Sequence, residues 1–500
     1  MTTSVPADTP DALAGAGGAV ADIGGATGIL TGDQYRKSLD DGREVWLSGE
    51  RVDNVATHPA FRGVVDEFAR LLDLRHSPEH VELSTFVSPE TGNRVSQAYS
   101  MPSTPEELRA KFAASEWWMR ESLGQLGRSP DFMSNVVVGL RDYAPELDAA
   151  REGFGQHAVD YHRYASEHDL VLTHALGDPQ IDRSADPLVD DTLSLHIVDE
   201  TADGVIVRGA KQLATLAPFS HEVLVYLNGV TAARGAEKFV LWFALPMNAP
   251  GLRILCREPF SLDTEGHTHP LGRRFDEQDA MLFFDDVLIP WDRLFLRGDS
   301  MTAIKGLVRI NAWSLQSTHI RFLQRLRVFV SVAKMVAHSI GVDTFRGIQE
   351  QLGELISYAE TLELGIIGAE AAAERTPGGL LAPRVSYGLG FWSAGVSARV
   401  AEILRQIGSS GLIMQPSEAD LASELRPTLE TYMRGHDIGV DEKSRLFRIA
   451  WDLVGSGFGS RQELYEYLHR GEPGAGRTRL WRSYDSSAVD AQIRDLISRP

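Results

Sequence analysis

Three segments of the 500-residue sequence carry side chains able to do chemistry. In Arg128-Ser-Pro-Asp a guanidinium sits at the corner between two helical stretches, with Trp117, Trp118 and Met119 a few turns earlier. Such a cation either pairs with a ligand or serves the corner alone. In Thr173-His-Ala-Leu-Gly-Asp-Pro-Gln-Ile-Asp-Arg183 a histidine, the side chain whose ordinary pKa lies nearest neutrality, opens a region that reads as β. It is either a proton-exchanging group or a core histidine. Gly209-Ala-Lys-Gln-Leu-Ala-Thr215 is a strand-to-turn segment whose small residues either admit a ligand close to the backbone or mark a barrel corner.

Other chemistries are missing. No G-x-G-x-x-G follows a strand: Gly15-Ala-Gly17-Gly18 lies near the N-terminus, and Gly455-Ser-Gly457-Phe-Gly459 follows a helix. There is no P-loop, no H-E-x-x-H and no G-x-S-x-G. His267-Thr-His269 has no carboxylate or thiolate at a ligand spacing, so it reads as a loop and no metal is expected. A single cysteine, Cys256, excludes an intramolecular disulfide, a zinc site of several thiolates and an iron–sulfur cluster, and points to a reducing compartment. With 49 Lys+Arg against 69 Asp+Glu, the net charge of −20 argues against general nucleic-acid binding. No leader-like segment opens the chain, and no uncharged apolar run nears the roughly 20 residues of a bilayer span. A cytoplasmic location is expected.

The elements that must position these residues follow from periodicity. Residues 1–31, rich in Ala, Gly, Thr and Asp, read as a disordered tail. From 32 to 170 the apolar spacing is helical. One helix there has Thr104 as cap, Pro105 at its first position, Glu107 completing a capping box and Gly127 as stop; Ser129 and Pro130 begin the next. From 171 to 297 the period shortens to two, in runs such as Gly204-Val-Ile-Val-Arg and Phe239-Val-Leu-Trp-Phe-Ala-Leu, which predicts an antiparallel β-barrel or sandwich. From 298 to 500 long helices return over Arg309 to Ile340, Phe345 to Arg375, Tyr387 to Ser409 and Lys443 to Gly455, and a four-helix bundle is the economical arrangement. This multidomain α+β order is that of the acyl-CoA dehydrogenase-like architecture, in which a flavin lies between the β domain and the bundle. By itself that is analogy of fold.

The segments together resemble a known family. Tyr35-Arg-Lys-Ser-Leu-Asp-Asp-Gly-Arg-Glu-Val-Trp, Gly49-Glu-Arg-Val-Asp-Asn-Val-Ala-Thr-His-Pro-Ala-Phe, Gly127-Arg-Ser-Pro-Asp, Asp178-Pro-Gln-Ile-Asp-Arg-Ser, Gly209-Ala-Lys-Gln-Leu-Ala-Thr and Gly457-Phe-Gly-Ser-Arg-Gln-Glu-Leu-Tyr-Glu keep the order found in the 4-hydroxyphenylacetate 3-monooxygenase oxygenase-component family. The resemblance spans about residues 33 to 470. It implies a two-component flavin monooxygenase: a separate flavin reductase supplies FADH2, and oxygen is transferred through a C4a-hydroperoxyflavin to the carbon ortho to a phenol. The missing nicotinamide fingerprint agrees with that division of labour.

By the same resemblance Arg128 and His174 hold and activate the phenolic oxygen. The family's tyrosine just after R-S-P-D is Phe132 here, which removes a donor and favours a different phenol, larger or tethered to a carrier protein. Many members carry a histidine four residues before an arginine on the first bundle helix; here the arginine is Arg321, the position is Ser317, and His319 lies nearby. Flavin contacts are implied for Thr173, His174 and Ala175, for Gln180, Ile181, Asp182 and Arg183, for Thr215, and for the turn Ser456, Gly457, Phe458, Gly459 and Ser460. Arg183 either meets the flavin or bridges carboxylates such as Asp182, and Arg325 and Arg327 either face a pyrophosphate across a subunit boundary or lie on an exposed face. A homotetramer is implied as well. A dehalogenating or denitrating monooxygenase of substituted phenols stands as a second reading, and a non-catalytic flavin-binding protein as a third. The related 4-hydroxybutyryl-CoA dehydratases need an iron–sulfur cluster, which one cysteine cannot hold.

Overall fold

The computed structural model describes residues 27–182, 184–226, 237–262, 266–384 and 386–499. Its first layer follows the helical periodicity. Arg62–Leu74 buries Val64, Val65, Phe68, Leu71 and Leu72 on one face. Pro105–Glu121 starts on the expected capping box, with Thr104 Oγ1 accepting from the Glu107 N–H and the Glu107 carboxylate accepting from the Thr104 N–H. This helix stops earlier than expected, at Ser122, and the chain turns away through two left-handed residues, Leu123 at φ +56° and Gly124 at φ +64°. Gly127 does something else. A Cβ there would lie 2.7 Å from Tyr465 Cζ, so the missing side chain is what admits the tyrosine ring. The next helix, Pro130–Asp142, begins where Ser129 and Pro130 place it.

Two readings of the N-terminal third are corrected. Residues 28–31 are anchored to the fold: the Gly28 N–H donates to the Glu167 carbonyl at 2.7 Å, Leu30 is buried, its N–H donates to Asp169 Oδ2 at 2.9 Å, and Thr31 caps the helix Gly32–Ser38. Residues 1–26 of the expected tail lie outside the described residues. The segment expected to be wholly helical also supplies strands β1 (Glu44–Leu47), β2 (Glu50–Arg51), β3 (Thr85–Val87) and β4 (Arg94–Ser96). They are too short for a period of two to stand out beside helical runs, and β1 is fixed by tertiary pairing.

The strands that follow are β5 (Leu172–Ala175), β6 (His196–Glu200), β7 (Gly204–Thr215), β8 (Glu222–Val225), β9 (Leu241–Pro246), β10 (Leu252–Cys256), β11 (Asp279–Pro290) and β12 (Leu294–Arg297). They form a six-stranded sheet in the order β2-β1-β10-β11-β7-β6 and a four-stranded sheet in the order β12-β9-β8-β5. Pairing is antiparallel except for β1 with β10 and β5 with β8. The parallel β5–β8 register sets His174 opposite Leu224 and carries the chain onward to Tyr226.

The bundle helices are Ala312–Ser339, Arg346–Ala371, Tyr387–Gly408 and Val440–Val454, and Gly457–Leu468 packs beside them. The first is not continuous with what precedes it. A separate helix, Ser300–Ile310, ends at Asn311, and the break does not show in the sequence because Ile310 stands three residues before Trp313 and so continues the apolar spacing of the helix that follows. One buried apolar cluster runs through all layers, including Trp117, Val136, Leu172, Trp242, Ile310 and Trp313. Among the described residues no helix is long and apolar enough to cross a membrane.

The corner helix lies tightly on this junction: a Cβ on Gly139 would fall 2.2 Å from the Ile310 carbonyl oxygen. Because backbone cannot yield as a side-chain tip can, Gly139→Ala should destabilise the protein by about 2 kcal/mol through overpacking. A thermal or urea unfolding series against wild type measures it, and an unchanged midpoint would show that the helices can part there at no cost.

Candidate active site

The corner that carries Arg128 is held by its own backbone and by an acid. The Arg128 N–H donates to Glu277 Oε1 at 2.6 Å, and Arg461 Nη1 donates to Glu277 Oε2 at 3.1 Å. Burial raises the Glu277 pKa against the pull of Arg461. Arg128 as a whole is 8% exposed. Its Nε donates to His174 Nε2 at 3.1 Å, one Nη donates to the Tyr465 hydroxyl, and the guanidinium plane lies over the Phe132 ring at 4.3 Å. Phe132 also meets the edge of His174, with ring centroids 5.6 Å apart. The structure therefore brings together Arg128, Phe132 and His174, three residues named from sequence alone.

His174 is buried, and its Nδ1 lies 2.9 Å from the Tyr226 hydroxyl, which is in turn 3.3 Å from Asn311 Oδ1. Loss of solvent first, and the neighbouring Arg128 second, push its pKa well below the usual imidazole value. The imidazole is neutral, with its Nε2 lone pair turned toward Arg128.

A second polar cluster adjoins the first. Thr173 Oγ1 donates to the Thr215 carbonyl, Thr215 Oγ1 donates to Asp279 Oδ1 at 2.7 Å, and Arg461 grips Asp279 at 2.6 and 2.8 Å. Burial works to raise the Asp279 pKa, but Arg461 and Arg257 overcome it and hold the group well below the usual carboxylate range. The segment ending in Thr215 is irregular: β7 and β11 slip register there, and Leu213 and Leu216 adopt φ of 60° and 71°. Large side chains seldom accept that region, and Leu213 is also exposed. Gly209 is explained by packing, since a Cβ there would lie 2.8 Å from Leu195 Cα. The loop after β5 is tied to the same segment, with Lys211 Nζ donating to Asp178 Oδ1 at 2.7 Å and the Gln212 N–H to the Gly177 carbonyl. Thr173 and Ala175 are buried, whereas Gln180, Ile181 and Asp182 are exposed on this loop; Arg183 lies outside the described residues.

The glycine-rich turn begins the helix Gly457–Leu468. Ser456 Oγ accepts from the Gly459 N–H at 3.1 Å, while the N–H groups of Gly457 and Phe458 meet no acceptor among the described residues and are available to an anion. Phe458 and Gly459 are buried; Gly457 and Ser460 are exposed. One and two turns on, on the same face as Gly457, this helix presents Arg461 and Tyr465 to the clusters above, so one element joins both.

Ser317 and His319 do not join Arg128. Two residues apart on a helix, they face opposite ways. Ser317 Oγ accepts from Asn135 Nδ2 at 2.9 Å and lies 3.1 Å from Ser115 Oγ, in a buried chain that continues through Asp131 to Ser129. His319 is buried on the other side near Gly390 and Arg470, its pKa lowered to about 3 by burial first and by Arg470 second. Arg321 meets Glu466 at 2.6 Å, Arg325 is 3.8 Å from it, and Arg327 pairs at the surface with Glu363. Arg325 therefore faces inward. Among the described residues no group of three His, Cys, Asp or Glu could hold a metal ion; His269 lies 3.1 Å from Asp452. Tyr226, Asn311, Glu277, Arg461 and Tyr465 were missed from sequence. Only Arg461 and Tyr465 left a trace there, inside the quoted Gly457 segment.

These features define a helix–sheet–bundle protein with a buried arginine–imidazole pair where the layers meet. The family model described as 4-hydroxyphenylacetate 3-hydroxylase N terminal matches residues 31–296, and the one described as 4-hydroxyphenylacetate 3-hydroxylase C terminal matches residues 307–498. The chain belongs to the 4-hydroxyphenylacetate 3-hydroxylase family. It is 36% identical to the 4-hydroxyphenylacetate 3-monooxygenase oxygenase component of Thermus thermophilus, over 93% of this chain and 97% of the relative. It is 33% identical to a Streptomyces globisporus monooxygenase of a (3S)-3-amino-3-(3-chloro-4-hydroxyphenyl)propanoyl group on a peptidyl-carrier protein, over 92% of this chain and 88% of the relative. A crystal structure of a 4-hydroxyphenylacetate 3-monooxygenase oxygenase component complexed with FAD and 4-hydroxyphenylacetate superposes with a TM-score of 0.88 at 34% identity, covering 94% of this chain and 98% of that one.

The buried histidines make stability depend on pH. His162, His221 and His319 are lowered to about 3, and His174 and His469 well below the usual value, burial being the first cause in each. Unfolded, each titrates near pH 6.5. Below that pH the unfolded chain takes up protons that the folded chain refuses, so stability is lost as pH falls from about 6.5 toward about 3. Each group steepens the loss by up to about 1.4 kcal/mol per pH unit. Unfolding midpoints between about pH 7 and about pH 5 measure the slope. His162→Gln should flatten it by about one proton's worth, and an unaltered slope would remove that histidine from the account.

Proposed function

We propose that this chain is the oxygenase component of a two-component flavin monooxygenase that hydroxylates a phenol at the carbon ortho to its hydroxyl. The observation that carries the reading is the neutral His174 whose Nε2 faces a buried Arg128. A phenol whose oxygen takes the place of His174 Nε2 as the partner of Arg128 frees that lone pair, and can give its proton to Nε2 while the guanidinium stabilises the oxygen that becomes phenolate. A phenolate ring is electron-rich at its ortho carbons, which is what oxygen transfer requires.

The residues present fit FAD. The N–H groups at the start of the Gly457–Leu468 helix suit a pyrophosphate, and Thr173, next to His174 in the chain, is hydrogen-bonded to Thr215, whose hydroxyl is tied through Asp279 to Arg461 of that same helix. Bound and reduced by a separate flavin reductase, FADH2 supplies with dioxygen the oxygen atom and the electrons. The chain's own part is to hold the phenol's oxygen, accept its proton and keep water away; the burial of Arg128, Phe132 and His174 supports the last. Phe132 offers no hydroxyl, which supports a phenol other than 4-hydroxyphenylacetate, and the similarity to the Streptomyces globisporus enzyme supports one tethered to a carrier protein. Exposed Ile356, Leu364 and Ile367 on the bundle helix Arg346–Ala371 support a homotetramer. The proposed domains are 32–170, 171–297 and 298–500, with β1 and β2 reaching across the first boundary, and the proposed location is cytoplasmic.

The test supplies reduced FAD under oxygen-18 gas with para-substituted phenols, free and carrier-bound, and weighs the products. A gain of one labelled oxygen is expected; release of halide or nitrite would favour the dehalogenating or denitrating reading. Arg128→Ala and His174→Ala should each cut kcat/KM on the order of 10²- to 10³-fold. If no phenol is oxidised, or if Arg128→Ala reacts like wild type, the proposal fails.

A further inference from the structure

We infer that Tyr226 and Asn311 are positioning residues that fix the tautomer of His174 and thereby make its Nε2 the acceptor that faces the substrate. The inference deepens the function proposed above and rests on its assignment of His174 as the base.

The direction of each hydrogen bond follows from chemistry. An arginine Nε–H can only donate, so His174 Nε2, 3.1 Å away, must accept. A neutral imidazole that accepts at Nε2 carries its proton on Nδ1, and that proton points to the Tyr226 oxygen at 2.9 Å. The Tyr226 hydroxyl, its oxygen occupied as an acceptor, turns its own proton toward Asn311 Oδ1 at 3.3 Å. Asn311 cannot present its amide nitrogen there, because Nδ2 donates to the Leu307 carbonyl at 2.8 Å, which leaves Oδ1 facing Tyr226. The chain therefore runs one way, from the Arg128 guanidinium to a backbone carbonyl.

The fold supplies both ends. Tyr226 directly follows β8, whose parallel register with β5 sets it beside His174. Asn311 stands at the break between the helices Ser300–Ile310 and Ala312–Ser339, at φ −99° and ψ 5°, where its amide turns back to Leu307. Tyr226 is buried, and burial raises its pKa, so it stays a hydroxyl throughout. Among the described residues, the other charged or titratable group acting on the imidazole is Arg128. When a phenol gives its proton to Nε2, the imidazolium that forms keeps Nδ1–H on Tyr226; the phenol's O–H bond breaks, an N–H bond forms, and no electrons leave the pair.

Selective 15N labelling of histidine in the full chain, assigned with His174→Gln, tests the tautomer without any turnover. A pyrrole-like Nδ1 and a pyridine-like Nε2 are expected for His174 in wild type; the opposite pattern overturns the inference. Tyr226→Phe keeps the ring and removes the acceptor. It should lose the single-tautomer pattern, lower kcat on the order of tenfold, shift the acid limb of the pH–rate profile, and leave affinity for reduced FAD within about twofold. Asn311→Leu should have a smaller effect in the same direction. If Tyr226→Phe keeps both the wild-type 15N pattern and the wild-type pH profile, Tyr226 does not position His174. Should wild type oxidise no phenol yet show the stated tautomer and lose it in Tyr226→Phe, the function proposed above fails while the tautomer lock stands.

Discussion

One hydrogen bond organises the site: the Nε–H of Arg128 donated to Nε2 of His174 inside the protein. A buried guanidinium is costly unless its donors are used, and a buried imidazole stays neutral because its charged form is not solvated. Placed together they constrain each other. The arginine compels the imidazole to present a lone pair, and the imidazole gives the arginine a partner that a phenolic oxygen can replace. Much of the surrounding structure holds this pair in register: Glu277 under the Arg128 backbone, Tyr465 against its Nη, and Tyr226 behind the ring.

The helix Gly457–Leu468 ties that pair to the expected flavin turn. Its first residues offer free N–H groups, Arg461 grips Asp279 and Glu277, Tyr465 reaches Arg128, and Glu466 gathers Arg321 and Arg325. Residues four apart on one helix thus contact the sheet and the corner together. Gly127 and Gly139 have matching roles. Each lacks a side chain because another element comes too close, a tyrosine ring at one and the backbone of the Ile310 helix end at the other.

Where the structure departs from the periodic reading, the reason is tertiary in each case. Ser317 reads as a substitute for a second base, yet its hydroxyl is spent on Asn135 and Ser115 beneath the corner helix. His319, two residues on, is turned to the opposite face. The apolar spacing from Arg309 onward suggested one helix, but the chain breaks at Asn311, and the break is what brings a carboxamide to Tyr226. β1 was invisible among helical stretches because a four-residue strand acquires its identity from its partner, here β10.

The sequence by itself determined the order of layers, because three- to four-residue and two-residue apolar periods are properties of the local chain. It also determined the capping box at Thr104, the exclusion of iron–sulfur chemistry through one cysteine, and the candidacy of Arg128, Phe132 and His174, whose segments keep a family's order. Only the tertiary structure decided which groups meet them. Tyr226, Asn311, Glu277 and Tyr465 lie between 52 and 338 residues from their partners in the chain, and no local period records a contact made across such a distance. The protonation state of His174 belongs to the same class, since it depends on what excludes water from the ring and on which atom of Arg128 is turned toward it.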